Sequence, residues 1–91
     1  MRLLIVEDDD IVADAISRGL TAASYSVLRV ASAEAAQAAI ASEEFAMAVI
    51  DVGLPGTDGL TLVRRLRSGG KSLPALILTA RCTLKDRKSV V

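Results

Sequence analysis

Histidine is absent from the sequence, which removes the most common zinc ligand and the usual general base. Any metal site should therefore bind a hard cation through oxygen ligands. The single cysteine excludes an internal disulfide and is typical of a reducing compartment, so we expect a cytoplasmic protein.

Aromatic residues and long apolar runs are also scarce. One Phe, one Tyr and no Trp leave an aliphatic core, and no apolar run approaches the roughly 20 residues that cross a bilayer. Met1-Arg2 leads into a short apolar run and then into acids, which differs from a signal peptide, so we expect no membrane contact. Apolar residues make up 52% of the 91 residues, which favours one globular domain over disorder.

Short aliphatic runs alternate with segments of helical periodicity along the chain. The runs that we predict to be strands are 2–7, 26–31, 45–52 and 74–80. Arg29 interrupts the second run, which indicates an edge strand. The alternation predicts an α/β fold with a doubly wound parallel sheet and helices on both faces.

Each intervening segment has a helix cap and an apolar face. The predicted caps are Asp9 or Asp10, Ser32 and Asp58, and Gly69-Gly70 should end the third helix. The predicted inward residues are Ile11, Val12, Ala15, Ile16, Gly19 and Leu20, then Ala35, Ala36, Ala39 and Ile40, then Leu62, Val63 and Leu66. A fourth helix should begin near Thr83, which has Asp86 three positions on, as in a capping box.

Polar side chains follow three of the predicted strands. The acids Glu7-Asp8-Asp9-Asp10 follow the first strand, Asp51 ends the third, and Thr79 lies near the end of the fourth. Ligands of parallel sheets bind beyond the carboxyl ends of the strands, where the winding reverses. We therefore expect these side chains to converge on one site.

Clustered carboxylates repel one another unless a cation lies between them, and Mg²⁺ prefers oxygen ligands. We expect Asp8 and Asp51 to bind Mg²⁺ directly, Glu7 to act through water, and the Gly53 carbonyl to be a further ligand. Asp51 could then attack a phosphoryl group as a carboxylate nucleophile. Thr79 could donate its hydroxyl to a phosphoryl oxygen.

Each of these residues also has a purely structural interpretation. An acidic run after a strand is often a helix cap that interacts with the helix dipole. Asp51 alone, before the Gly-Pro loop, could be a turn residue, and Thr79 alone an ordinary β-branched strand residue. Their coincidence at three strand ends favours a site.

Three segments resemble the receiver domain of bacterial two-component response regulators. They are the runs at 3–9, at 49–59 with its Asp-x-x-x-Pro loop, and at 76–81. The resemblance is closest to regulators with a winged-helix DNA-binding output domain. It implies a flavodoxin-like strand order 2-1-3-4, a sensor histidine kinase as partner, and control of transcription.

The resemblance also implies roles for individual residues. Asp51 is the phospho-acceptor, Glu7 and Asp8 form the acidic pocket, Gly53 supplies a metal-ligating carbonyl, and Thr79 is the switch hydroxyl. The domain would not be an enzyme in the ordinary sense, because its only chemistry is Mg²⁺-dependent phosphorylation and dephosphorylation at Asp51. DNA would be bound only through an output domain outside these residues.

The sequence departs from the family pattern at its C-terminal end. We expect residues 1–91 to be a partial receiver that matches the family over 1–81, with a divergent, truncated fourth helix at 82–91 and without the fifth strand and fifth helix. The catalytic lysine has no counterpart in this chain, so we expect Mg²⁺ binding with poor phosphate acceptance. The fourth strand would become an aliphatic sheet edge, which predicts self-association.

Three alternatives remain open at the level of sequence. An Mg²⁺-dependent aspartyl phosphotransferase would want a second acid two residues after Asp51, where Gly53 lies. A dinucleotide-binding fold would want a glycine-rich turn after the first strand, where the acids lie. The third alternative is a receiver-like interaction module that is never phosphorylated.

Overall fold

Three helices connect four parallel strands in the computed structural model, which describes residues 2–78. The elements in chain order are β1 (Arg2–Val6), α1 (Asp10–Ala22), β2 (Ser26–Val30), α2 (Ala33–Ser42), β3 (Met47–Asp51), α3 (Gly59–Ser68) and β4 (Ala75–Leu78). The strand order β2-β1-β3-β4 confirms the predicted flavodoxin-like α/β fold. Thr79 and the predicted fourth helix lie outside the described residues.

The register of β1 and β3 brings their carboxyl ends together. Val6 on β1 pairs with Ile50 on β3, so Glu7 and Asp51 follow at the same level of the sheet. Both strands are buried over their last four residues, as expected of central strands that are covered on both faces. The acids after β1 therefore lie beside Asp51, because β1 and β3 are neighbouring strands.

The main hydrophobic core lies between one face of the sheet and the helices α2 and α3. Side chains at alternate positions of β1 and β3 point to this face. The core residues are Leu4, Val6, Ala33, Ala36, Ile40, Ala48, Ile50, Leu54, Leu62 and Leu66. The opposite face carries Leu3, Ile5 and Val49, which are also buried.

Side-chain caps begin all three helices at the predicted positions. Asp9 accepts hydrogen bonds from the N–H groups of Ile11 and Val12. Ser32 caps α2, and Asp58 caps α3 by accepting from the Thr61 N–H at 2.8 Å. These caps satisfy N–H groups that have no partner within the helix itself.

The predicted inward face of α1 was wrong in part. Ile11, Ala15 and Gly19 are exposed, and Ala13, which was not predicted, is buried. Ile11 exposes 82% of its surface. Val12, Ile16 and Leu20 are partly buried, as predicted, and α1 contacts β1 and β2.

The alanine-rich helix α2 shows a smaller error of the same kind. Ala36 and Ile40 are buried and Ala39 is partly buried, as predicted, but Ala35 is exposed and Ala33 is buried. In α3 the inward residues were predicted correctly, with Leu62 and Leu66 buried and Val63 partly buried.

The strands β2 and β4 form the two edges of the sheet within residues 2–78. Leu76 on β4 exposes 52% of its surface, which is unusual for a strand of aliphatic residues. None of the described helices has both the length and the apolar character that crossing a bilayer would require.

Candidate metal centre

Three carboxylates meet at the carboxyl edge of the sheet. Glu7, Asp8 and Asp51 each have an oxygen that lies within 4.8 Å of the others. Glu7 and Asp51 are only 1% and 3% exposed, and Asp8 is half-buried. Carboxylates this close together repel one another when ionised, and a cation among them would remove that repulsion.

The loop between β1 and α1 is held by its own acids. The Asp9 N–H donates to Glu7 Oε2 at 3.0 Å, and Asp9 Oδ1 in turn accepts from the N–H of Ile11 at 2.9 Å. The acids of residues 7–10 therefore have different roles: Asp9 is the helix cap, and Glu7 and Asp8 belong to the carboxylate cluster. The structural interpretation of the run as a cap is correct for Asp9.

Asp51 is oriented by the loop that follows it. The Gly53 N–H donates to Asp51 Oδ1 at 3.1 Å, and this bond restricts the rotation of the carboxylate. The chain then returns to β3, where the Gly59 N–H donates to the Val52 carbonyl at 3.3 Å. A Cβ at Gly59 would overlap the Asp51 carbonyl oxygen and lie 2.8 Å from Ile50 Cγ2. Only glycine fits at this position.

A contact from α2 supports the same loop from outside. The Thr57 hydroxyl donates to Glu34 Oε2 at 2.8 Å, and Arg65 Nη1 lies 3.8 Å from the same oxygen. The Thr57 hydrogen bond and, to a lesser degree, the Arg65 charge hold the pKa of Glu34 below its usual value. The loop after Asp51 is thereby tied to the start of α2.

The structure brings together most of the residues that the sequence singled out. Glu7, Asp8 and Asp51 form the cluster, and Gly53 lies beside it through its N–H. Thr79, the predicted switch residue, lies outside the described residues.

Sequence reasoning missed one residue at this edge. Arg29 donates from Nε to the Glu7 carbonyl and from Nη1 to Asp10 Oδ1, both at 2.9 Å. The signal that could have identified it is a charged residue in the middle of an aliphatic strand, which was interpreted only as an edge feature.

Comparisons with known proteins agree with this geometry. The family model described as "Response regulator receiver domain" matches residues 3–91. The transcriptional regulatory protein TctD of Salmonella typhimurium is 42% identical over 87 residues. The two-component response regulator PhoP of Pseudomonas aeruginosa is 44% identical over 87 residues. In both cases the match covers 96% of this chain and 39% of the relative, so the chain spans about two fifths of their length.

Solved structures show the same fold. The BeF3-activated N-terminal receiver domain of RstA from Klebsiella pneumoniae has a TM-score of 0.79 and 32% identity, and the match covers 85% of this chain and 65% of that one. The N-terminal domain of a response regulator receiver protein from Methanoculleus marisnigri has a TM-score of 0.82, with 87% and 66% covered. Its 22% identity supports the fold alone.

Proposed function

Because the chain belongs to the response regulator receiver domain family, we propose that Asp51 accepts a phosphoryl group from a sensor histidine kinase. The observation that carries the proposal is the convergence of Glu7, Asp8 and Asp51 within 4.8 Å at one edge of the sheet. Packing gives no reason to bury two carboxylates side by side, since burial penalises each charged group.

The donor set fits a magnesium ion. All three side chains offer hard oxygen ligands, and the sequence contains no histidine that would favour a softer metal. We propose that Asp8 and Asp51 bind the ion directly, that Glu7 acts through water, and that the Gly53 carbonyl is a further ligand. When bound, Mg²⁺ would offset the charge of the transferring phosphoryl oxygens.

Asp51 is suited to be the nucleophile because its carboxylate is buried and held by the Gly53 N–H. One of its oxygens would form a bond to phosphorus as the bond between phosphorus and the donor breaks, and the donor would keep that electron pair. The result is an acyl phosphate on the protein. Chemistry at Asp51 alone is what distinguishes such a regulator from an enzyme with an external substrate.

Phosphorylation of the full chain by acetyl phosphate tests the proposal. We expect intact-mass spectrometry to detect one phosphoryl group, slowly formed and only when Mg²⁺ is present, on the unaltered chain and not on Asp51→Asn. Asp58→Asn is the matched control, because Asp58 is an exposed aspartate of the same loop. It should be labelled like the unaltered chain.

The same experiment separates a second candidate function. A receiver-like module that binds partners without phosphorylation would bind Mg²⁺ and remain unlabelled. Label that survives Asp51→Asn would contradict the assignment of the nucleophile.

A further proposal concerns the role of the protein in transcription. The relatives named above are a transcriptional regulatory protein and a two-component response regulator, so we propose a role in transcription through a DNA-binding output domain outside these residues. Three expectations stay predictions from the sequence. They are the switch role of Thr79, the partial-receiver boundaries 1–81 and 82–91, and a cytoplasmic location.

A further inference from the structure

Arg29 connects the edge strand β2 to the acidic loop of the proposed site. It pairs in register with Ile5 of β1, so its side chain shares the sheet face on which α1 packs. Its guanidinium donates to the Glu7 carbonyl and to the Asp10 carboxylate, both at 2.9 Å. These acceptors lie on either side of Asp8 in the chain.

The contacts fix the backbone of Glu7 from both sides. Its N–H donates to the Val30 carbonyl at 3.0 Å, and its own carbonyl accepts from Arg29. Both backbone groups of Glu7 are therefore bonded to β2. Asp10, three residues on, is held by the same guanidinium.

Folding alone does not account for an arginine at this position. Among the residues that the structure describes, Arg29 Nη2 is buried and has no hydrogen-bond partner. A buried donor without a partner destabilises the folded state, and an aliphatic residue would suit the strand better. The interactions to set against this cost are the two hydrogen bonds to the acidic loop.

We infer that Arg29 is a positioning residue that holds the loop 7–10 so that Asp8 and Glu7 face Asp51 in the arrangement that binds the metal ion. The inference rests on the proposed function, because it concerns a residue that would support the proposed metal site. Partners of this kind orient the groups that bind a metal without touching it.

If Arg29 acts only through its charge, its loss should change the Mg²⁺ affinity in the opposite direction from that expected if it positions the loop. A positive guanidinium near the cluster opposes the binding of a cation, so a role through charge alone predicts that Mg²⁺ binds more tightly without it. A positioning role predicts weaker binding, because the loop loses two hydrogen bonds that fix it. The sign of the change therefore decides between them.

The test is calorimetric titration of the full chain with Mg²⁺, comparing the unaltered protein with Arg29→Met. We expect roughly 10-fold weaker binding, the effect typical of such supporting residues. Thermal unfolding without Mg²⁺ should not occur at a lower temperature, since the variant also removes the unsatisfied Nη2. Unchanged or tighter binding would overturn the inference.

Arg18→Met is the matched control. Arg18 bonds Asp14 on the exposed side of α1 at 2.9 Å, so the variant removes an arginine–aspartate pair without touching the loop. Its Mg²⁺ affinity should equal that of the unaltered protein. Arg29→Lys adds a second test, because lysine keeps the charge without the two-nitrogen fork and should also bind Mg²⁺ more weakly.

Amide hydrogen exchange without metal distinguishes failure of the inference from failure of the proposed function. We expect the amides of residues 8–10 to exchange faster in Arg29→Met than in the unaltered chain, with the core amides of β1 unchanged. Equal exchange rates of these amides in the two proteins would overturn the positioning role, whether or not Mg²⁺ binds. An unaltered chain that does not bind Mg²⁺ would overturn the proposed function and, with it, the role of Arg29 in metal binding.

Discussion

Gly59 shows how a single residue without a side chain shapes the candidate site. It lies where the loop after Asp51 returns to β3, and it is packed against the Asp51 carbonyl and the Ile50 side chain. The carboxylate and the glycine are eight positions apart in the chain, yet the conformation of one depends on the other. A Cβ at position 59 would therefore displace the backbone that presents Asp51.

We predict that Gly59→Ala lowers the free energy of unfolding by about 1–3 kcal/mol, because the new methyl group must displace backbone atoms. Gly19→Ala is the contrasting variant, since nothing lies within 4 Å of a Cβ at this exposed helical position. It should raise stability by about 1 kcal/mol. Denaturant unfolding followed by circular dichroism measures both changes.

If both variants lowered the free energy of unfolding equally, or if Gly59→Ala raised it, the close packing around Gly59 would be contradicted.

The residues of the cluster could be predicted because their position depends on strand order alone. Glu7 and Asp8 are the first two residues after β1, and Asp51 ends the neighbouring strand β3. The alternation of strands and helices is enough to place them at one edge. Arg29 could not be predicted in the same way. Its contacts with Glu7 and Asp10 depend on the register of β2 and on the choice of side-chain rotamer, neither of which leaves a local pattern.

At the scale of the element, the helices differ in how well their sequence specifies their orientation. Leucines at Leu62 and Leu66 set the buried face of α3, with arginines opposite, and the prediction was correct. In α1 and α2 most of the alternatives differ by alanines and a glycine, which bury little area and so give a weak periodic signal. Ile11, in the first turn of α1, is the exception: it is a large aliphatic residue and is 82% exposed. Packing against the sheet therefore determines the orientation of these helices, with Ala13 and Ala33 buried.

The cap of α3 makes stability depend on pH in a definite direction. Hydrogen bonds from Thr61 and, to a smaller extent, the Arg64 charge lower the pKa of Asp58 from its ordinary value of 3.8. A carboxyl with a lowered pKa in the folded state stabilises that state above the unfolded value. This contribution is complete above about pH 3.8 and is lost as the pH falls through the lower folded value.

We predict that Asp58→Asn removes this part of the pH dependence. Asparagine keeps an oxygen that can accept the Thr61 hydrogen bond, but it carries no titratable charge. The stability advantage of the unaltered chain over the variant should be present at neutral pH and shrink below pH 3.8. Thermal unfolding across this range measures it, and an advantage that grows with acidity would show that the sign is wrong.

At the scale of the whole molecule, the sheet that residues 2–78 form ends in a strand with an exposed leucine. Within residues 2–78, β4 pairs with β3 on one side only, and Leu76 is half exposed. An aliphatic edge of this kind can pair with the same edge of a second copy. The self-association predicted from the sequence would use this surface.

We predict that the chain sediments as a concentration-dependent mixture of monomer and larger species, and that Leu76→Lys shifts it toward monomer. A charge on an edge strand opposes pairing with a second strand. Leu60→Lys is the control, because Leu60 is a similarly exposed leucine on α3. A stable monomer at high protein concentration would defeat the prediction.

The buried carboxylates have a consequence for evolution as much as for chemistry. Glu7 and Asp51 are 1% and 3% exposed and lie side by side, and burial penalises the charged form of each carboxyl group. Under the proposed function, replacing either one with an apolar residue should remove this burial penalty and also impair phosphorylation. On that proposal, selection for a stable fold and selection for signalling would act in opposite directions at these two positions.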